Sequence, residues 1–130
     1  MAQPEGLLYS KEHEWAKLDG DVATVGITDY AQNSLGDIVY VELPRVGQTF
    51  AQHQSVGVVE SVKAVSDLFT PIGGEVVEIN PELEGDPALV NREPFAGGWM
   101  FKVRVADASG ASNDLLSPAD YDALVGEGAH

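Results

Sequence analysis

Short runs rich in Val, Ile, Tyr and Phe, parted by turn signals at Asp19-Gly20, Gly36-Asp37, Gly47-Gln48 and Gly73-Gly74, set the rhythm of the chain. That pattern predicts a mostly β protein. The runs place strands over residues 15–18, 22–27, 38–43, 55–59, 64–69, 74–79 and 99–105. Two helices interrupt them. The first follows Asp29, whose side chain can cap a helix with Gln32 at the third position, and stops at Leu35-Gly36, where glycine can turn left-handed. In the second, Ser117 offers an N-cap, Pro118 fits the first helical position, Asp120 and Asp122 suit the positive helix start, and Gly126 supplies the stop.

A weak internal repeat runs through these elements. Gly36-Asp37-Ile38-Val39-Tyr40-Val41-Glu42-Leu43-Pro44 matches Gly74-Glu75-Val76-Val77-Glu78-Ile79-Asn80-Pro81, and each block follows a Val-Gly-Ile or Val-Gly-Val segment, at Val25 to Ile27 and Val56 to Val58. The repeat predicts a flattened β-sandwich or barrel with quasi-two-fold halves, each half supplying part of both sheets, with one short internal helix and a C-terminal helix. Between Asn80 and Gly98 three prolines and three glycines forbid a long regular element, so that stretch is expected as a surface excursion.

At 130 residues the chain is read as one domain, with a core over about 7–105 and a helical extension over about 113–126. Hydrophobic residues make up 44%, enough to build a core without staples. Cysteine is absent, so the polypeptide encodes no disulfide, thiolate ligand or redox thiol. Any sulfur chemistry has to be imported. The formal net charge of −14 argues against nucleic acid and anionic lipid as partners and favours a protein with a basic face. Self-repulsion favours a monomer. No run approaches the roughly 18 to 20 apolar residues of a membrane span. The opening residues lack the features of a secretory signal or transit peptide, so the expected site is the cytoplasm of a bacterium, or the mitochondrial matrix for a mature organellar form.

The search for a catalytic constellation mostly fails. His13, His53 and His130 show no ligand spacing, and no metal site is expected. Ser61 and Lys63, two apart on a strand, could form a nucleophile and base, but that needs a deprotonated lysine, and the acidic surroundings hold it protonated. Val56 to Phe69 reads as one β-rich run of fourteen residues, more than twice the usual strand length of about five or six. It has to bend. Since Gly, Pro, Asn and Asp are all missing between Val59 and Val65, the bend, expected as a type I turn over residues 62–65, is built against local preference, a conflict expected at a functional site. Lys63 sits in its centre. It is the only lysine or arginine from Val46 to Asn91, a window holding seven acids: Glu60, Asp67, Glu75, Glu78, Glu82, Glu84 and Asp86. It reads either as a solvated lysine on an acidic face or as an amine presented at an exposed tip for acylation.

The residues resemble a known family here. Lys11-Glu12-His13-Glu14-Trp15, Val25-Gly26-Ile27-Thr28-Asp29-Tyr30-Ala31, Leu35-Gly36-Asp37-Ile38-Val39, Val41-Glu42-Leu43-Pro44, Val58-Val59-Glu60-Ser61-Val62-Lys63-Ala64-Val65-Ser66-Asp67 and Gly97-Gly98-Trp99-Met100 are similar, in this order, to the H-protein family of the glycine cleavage system. The similarity runs from about Leu7 to Val125. Biotin carriers place methionines beside the lysine, where this chain has Val62 and Ala64.

The resemblance implies a lipoyl-carrier fold with Lys63 at a hairpin tip, bearing lipoic acid in amide linkage as N6-lipoyl-lysine. Glu60, Ser61, Val62, Ala64 and Val65 are then the residues around the hairpin that a lipoate ligase or lipoyl transferase and the partner enzymes recognise. At about 1.5 Å per C–C bond the extended lysyl-lipoyl arm should reach on the order of 14 Å. In the family's cycle the arm takes an aminomethyl group as the P-protein decarboxylates glycine, delivers it to the T-protein, and is reoxidised by the L-protein; the carrier catalyses none of these steps. The cargo carries an ammonium and decomposes in water, so a sheltering cleft is expected, and the resemblance places Glu12, Glu14 and Asp67 near it. Some relatives have Ser where this chain has Glu12. His13 and Trp15 are expected to pack the first strand against the core. Two other functions stay open: a lipoyl reservoir that hands its group to other acceptor proteins, and a small hydrolase using Ser61 and Lys63.

Overall fold

The computed structural model describes residues 6–105 and 115–128; the expected start of the C-terminal extension at 113 and 114, and His130, lie outside the described residues. Nine strands and four helices follow in the order β1 (Leu8–Tyr9), β2 (Glu14–Asp19), β3 (Val22–Ile27), α1 (Asp29–Leu35), β4 (Ile38–Glu42), β5 (Thr49–Phe50), β6 (Ser55–Ser61), β7 (Val65–Phe69), β8 (Gly74–Ile79), α2 (Glu82–Gly85), α3 (Leu89–Arg92), β9 (Phe101–Val105) and α4 (Pro118–Gly128) among the described residues. All strand pairs are antiparallel. They form a six-stranded sheet, β1-β2-β3-β9-β8-β5, and a three-stranded sheet, β4-β6-β7. Alternation along the strands turns one side of each inward. Val25, Ile27, Phe101 and Val103 of the larger sheet meet Ile38, Val41, Val59 and Leu68 of the smaller one in a single buried cluster.

The two halves of the repeat are exchanged between the sheets. β3, with Val25-Gly26-Ile27, lies in the six-stranded sheet and the Gly-acid strand β4 in the three-stranded one; β6, with Val56-Gly57-Val58, lies in the three-stranded sheet and its Gly-acid strand β8 in the six-stranded one. The correspondence extends to irregularity. β4 shifts register against β6 between Ile38 and Tyr40, and β8 shifts against β9 between Val76 and Glu78, the matching positions of the two blocks. An extra residue at such a shift bends a strand and increases its twist, so both Gly-acid strands curve at the same point.

Several local expectations are corrected. The cap of α1 is Thr28, whose Oγ1 accepts from the Ala31 N–H at 3.2 Å, while Asp29 is the first helical residue and accepts from Gln32 Nε2. Thr28 is fully buried, so its hydroxyl has few alternatives to the helix end. α4 starts as expected, with Ser117 Oγ accepting from the Asp120 N–H, but runs past Gly126 to Gly128. The last strand begins at Phe101 and leaves Trp99 and Met100 outside it. Residues 80–98 are no mere surface excursion and the internal helix is not single: they hold the one-turn helices α2 and α3, which seal the core with Leu83, Leu89 and Val90. Burying each such side chain contributes on the order of 2 kcal/mol, enough to fix an otherwise irregular segment. Trp15 packs as expected. It is buried and donates Nε1–H to the Ile27 and Pro94 carbonyls, and a Cβ on Gly26 would sit 2.7 Å from its indole, which is why that strand position is glycine. No helix is long and apolar enough to cross a membrane among the described residues.

Candidate functional site

The fourteen-residue run bends between β6 and β7, one position earlier than the type I turn expected over residues 62–65. Ser61 makes the bend. Its N–H donates to the Ala64 carbonyl at 2.8 Å, and its Oγ accepts from the Lys63 and Ala64 N–H groups at 3.3 and 3.1 Å. The Val62 N–H donates to the Asp37 carbonyl and ties the turn to the start of β4. A serine hydroxyl thus supplies the turn chemistry that glycine or asparagine provides elsewhere. Ser61 is 9% exposed, and its hydroxyl is bonded to the turn backbone and not to the Lys63 amine.

Val62, Lys63, Ala64 and Val65 are all exposed, Val62 and Val65 at 68% each, and Glu60 is half-buried opposite Val65. Two apolar side chains thus flank the lysine in the solvent, where nothing in the fold rewards them. Lys63 makes no ion pair among the described residues. Its aliphatic stem runs beside Gly36, where a Cβ would stand 3.5 Å from Cε, an ordinary van der Waals contact; the backbone, at φ 83°, is what favours glycine there.

Gly36 ends α1, and α1 forms one wall of a shallow cleft of about 220 Å³ lined by Glu12, His13, Tyr30, Ala31, Ser34, Leu35 and Ser66. Leu35, at the C-terminal end of that helix, lines the cleft, and the next residue, Gly36, faces the lysine stem. Tyr30, Ala31, Ser34 and Leu35 fall at i, i+1, i+4 and i+5, a single helical face, and this spacing was a signal available in the sequence. The cleft brings together only part of the expected acidic set. Glu12 lies at its edge, its Oε1 3.3 Å from His53 Nδ1. Asp67 is exposed on β7, and strand alternation gives the cleft its neighbour Ser66, which shares the face of the buried Leu68.

Glu14 is 2% exposed and lies inside the fold. Ser10 Oγ donates to its Oε1 at 2.7 Å, and the Phe69 N–H points to Oε2 at 3.4 Å. Burial, reinforced by Glu12 and only partly offset by these hydrogen bonds, pushes its carboxyl up to about 8. At neutral pH it is mostly protonated. Ser10, its partner, went unnoticed in the sequence because the pairing depends on a turn at Lys11-Glu12 that no local turn residue announces. His13 is half-buried, with its ring against Tyr30 at 4.8 Å and its backbone left-handed at φ 70°. Burial pulls its imidazole below the usual range, and Glu12 opposes that shift.

A sequence model described as "Glycine cleavage H-protein" matches residues 7–128. The glycine cleavage system H protein of Halothermothrix orenii is 56% identical over 121 residues, covering 93% of this chain and 94% of that protein. The one from Opitutus terrae is also 56% identical, over 124 residues, covering 95% and 97%. Among solved structures, the glycine cleavage system H protein of Mycobacterium marinum superposes with a TM-score of 0.85 at 36% identity, covering 98% of this chain and all of that one.

Proposed function

Since the chain belongs to the glycine cleavage H-protein family, we propose that it is the lipoyl carrier of that system and that Lys63 is the residue acylated. The observation that carries the assignment is an exposed lysine, without an ion pair among the described residues, at the middle of a tight, hydroxyl-braced turn, its stem beside Gly36. Lys63 would hold the lipoyl group, and the group would supply a disulfide able to carry an aminomethyl group from the P-protein to the T-protein and to be restored by the L-protein. The residues of the chain bind, orient and shelter. Ser61 holds the turn so that the amine projects, and Val62 and Val65 offer a lipoate ligase or lipoyl transferase an apolar grip.

The cleft beside α1 is where a loaded arm would rest, because the stem of Lys63 already runs along the end of that helix. Tyr30, Ala31 and Leu35 exclude water on one side, and Glu12 offers a carboxylate to a cationic cargo at the rim. Glu14 sits one layer deeper, and a nearby cation would favour loss of its proton, leaving Oε1 charged and still bonded to Ser10. Asp67 stands on the outer face of β7, close in sequence to Ser66, as a second acid on the approach. The chain is a carrier and performs no turnover by itself, and the same reading puts its work in the bacterial cytoplasm. A reservoir role donating lipoyl groups to other acceptors is not favoured by the relatives. Reconstitution with purified P-protein tests the assignment: lipoylated chain should support exchange of the glycine carboxyl with bicarbonate while unmodified chain supports none. Equal exchange by the two forms would overturn it.

A further inference from the structure

Tyr121 of α4 is fully buried, far in sequence from the cleft, yet its hydroxyl bridges two parts of the cleft wall. It lies 2.7 Å from His13 Nδ1 and 2.7 Å from Thr28 Oγ1. His13 lines the cleft, and Thr28 caps α1, whose residues line it too. A backbone bond from the Thr28 N–H to the His13 carbonyl, 3.0 Å, joins the same two residues. The Tyr121 ring is stacked on Tyr9 at 4.8 Å, and the segment before α4 is tied to β1 by Tyr9–Leu116 bonds in both directions. The anchor is therefore firm.

Hydrogen bookkeeping fixes the direction of the chain. Both buried hydroxyl hydrogens find acceptors within it only if the Thr28 O–H donates to Tyr121 Oη and the Tyr121 O–H donates to His13 Nδ1; either other arrangement strands one of them. In that arrangement Thr28 Oγ1 stays free to accept from Ala31, and a neutral His13 has its proton on Nε2. The hydrogen bonds thus run from the α1 amide through Thr28 and Tyr121 to the imidazole.

We infer that Tyr121 is a positioning residue for the carrier cycle: from the C-terminal helix its hydroxyl locks the His13 tautomer and the first turn of α1, and so holds open the cleft that receives the loaded arm. This rests on the reading of the cleft given above. The group sheltered is a primary ammonium on a short thioether, and the walls that Tyr121 fixes are those that keep water from it.

The test uses the full chain with four variants. Tyr121→Phe keeps the ring and its stack and removes the hydroxyl; Thr28→Val cuts the same chain at the other end; Leu124→Ala weakens the packing of α4 without touching the chain; Ser34→Trp fills the cleft. In the unloaded protein, ring nitrogen NMR of His13 should show Nε2–H in wild type, Leu124→Ala and Thr28→Val, and a mixed tautomer in Tyr121→Phe. Ala31 amide exchange should rise about tenfold in Tyr121→Phe and Thr28→Val alone. With the arm loaded, Tyr121→Phe should shorten the lifetime of the aminomethyl form several-fold and Leu124→Ala should leave it as in wild type. A wild-type tautomer and wild-type Ala31 exchange in Tyr121→Phe would overturn the inference. So would an unchanged lifetime in Tyr121→Phe alongside a shortened one in Ser34→Trp, an outcome that leaves the cleft reading standing. An unchanged lifetime in Ser34→Trp overturns the cleft reading, and this inference with it.

Discussion

The two ends of the site are built on opposite terms. At the hairpin tip, Lys63 sits among three exposed residues, and the hydrogen bonds of the Ser61 hydroxyl that shape the turn all fall within three residues in sequence. At the β2 end, Glu14 is buried and hydrogen-bonded, and His13 leans on a tyrosine 108 positions away. The tip costs little stability because nothing charged is desolvated there. The buried end costs stability because a carboxyl and a set of hydroxyls are taken from water. On the proposed reading the difference has a use: an attachment point needs access, whereas a shelter for a water-sensitive cation needs dry walls and a group able to become anionic when the cation arrives.

The strongest way to sharpen this contrast is to make Glu14 permanently neutral. Its carboxyl is raised from an ordinary 4.5 to about 8, so below pH 4.5 it is protonated in both folded and unfolded chains and costs nothing as a charge. As pH rises from 4.5 towards 8 the unfolded chain loses its proton first, and stability falls until the folded carboxyl has ionised as well. Denaturant unfolding across this window should show wild type losing on the order of 5 kcal/mol to this one group. Glu14→Gln should flatten the decline. The same variant should shorten the lifetime of the loaded form, because it cannot become anionic. A steep decline persisting in Glu14→Gln would place its origin elsewhere.

A smaller effect is expected at the tip. Ser61→Ala removes the acceptor for two backbone N–H groups and should cost about 1 kcal/mol in chemical denaturation, with slower acylation by the ligase. If acylation kinetics match wild type, the hydroxyl braces the fold and not the presentation of the lysine. The smallest effect should come from Val65→Thr. At 68% exposure its removal should change stability by less than about 0.5 kcal/mol while weakening enzyme recognition of the hairpin, measured as a raised KM for acylation. A drop in stability with no change in KM would make it a packing residue.

What could be read in the chain follows the same division. The seven expected strands, the exchanged repeat and the bend around Lys63 are matters of short-range pattern and turn chemistry, and all have counterparts in the fold. The errors lie where tertiary contacts decide. Thr28 takes the cap from Asp29 because it is buried against Tyr121, and residues 80–98 turn inward because Leu83 and Val90 are needed to close the sandwich. The short strands β1 and β5 were missed, each two residues long and defined only by its partner. In the candidate site, the bend that exposes Lys63 was legible; Glu14 was expected near the cleft, whereas the fold buries it behind the cleft-lining residues. Ser10, Tyr30 and Tyr121 were not legible, since their roles depend on a left-handed turn at His13 and on a helix from the far end of the chain.

The central claim is that one amine, at the tip of the β6–β7 hairpin, carries the prosthetic group. Intact-mass measurement and peptide mapping of wild type and Lys63→Arg, each produced in a host competent for lipoylation, test it most directly. Wild type should gain the mass of one lipoyl group on the peptide holding Lys63, and Lys63→Arg should gain none. A lipoyl group on Lys11, Lys17 or Lys102, or a modified Lys63→Arg, would contradict the account.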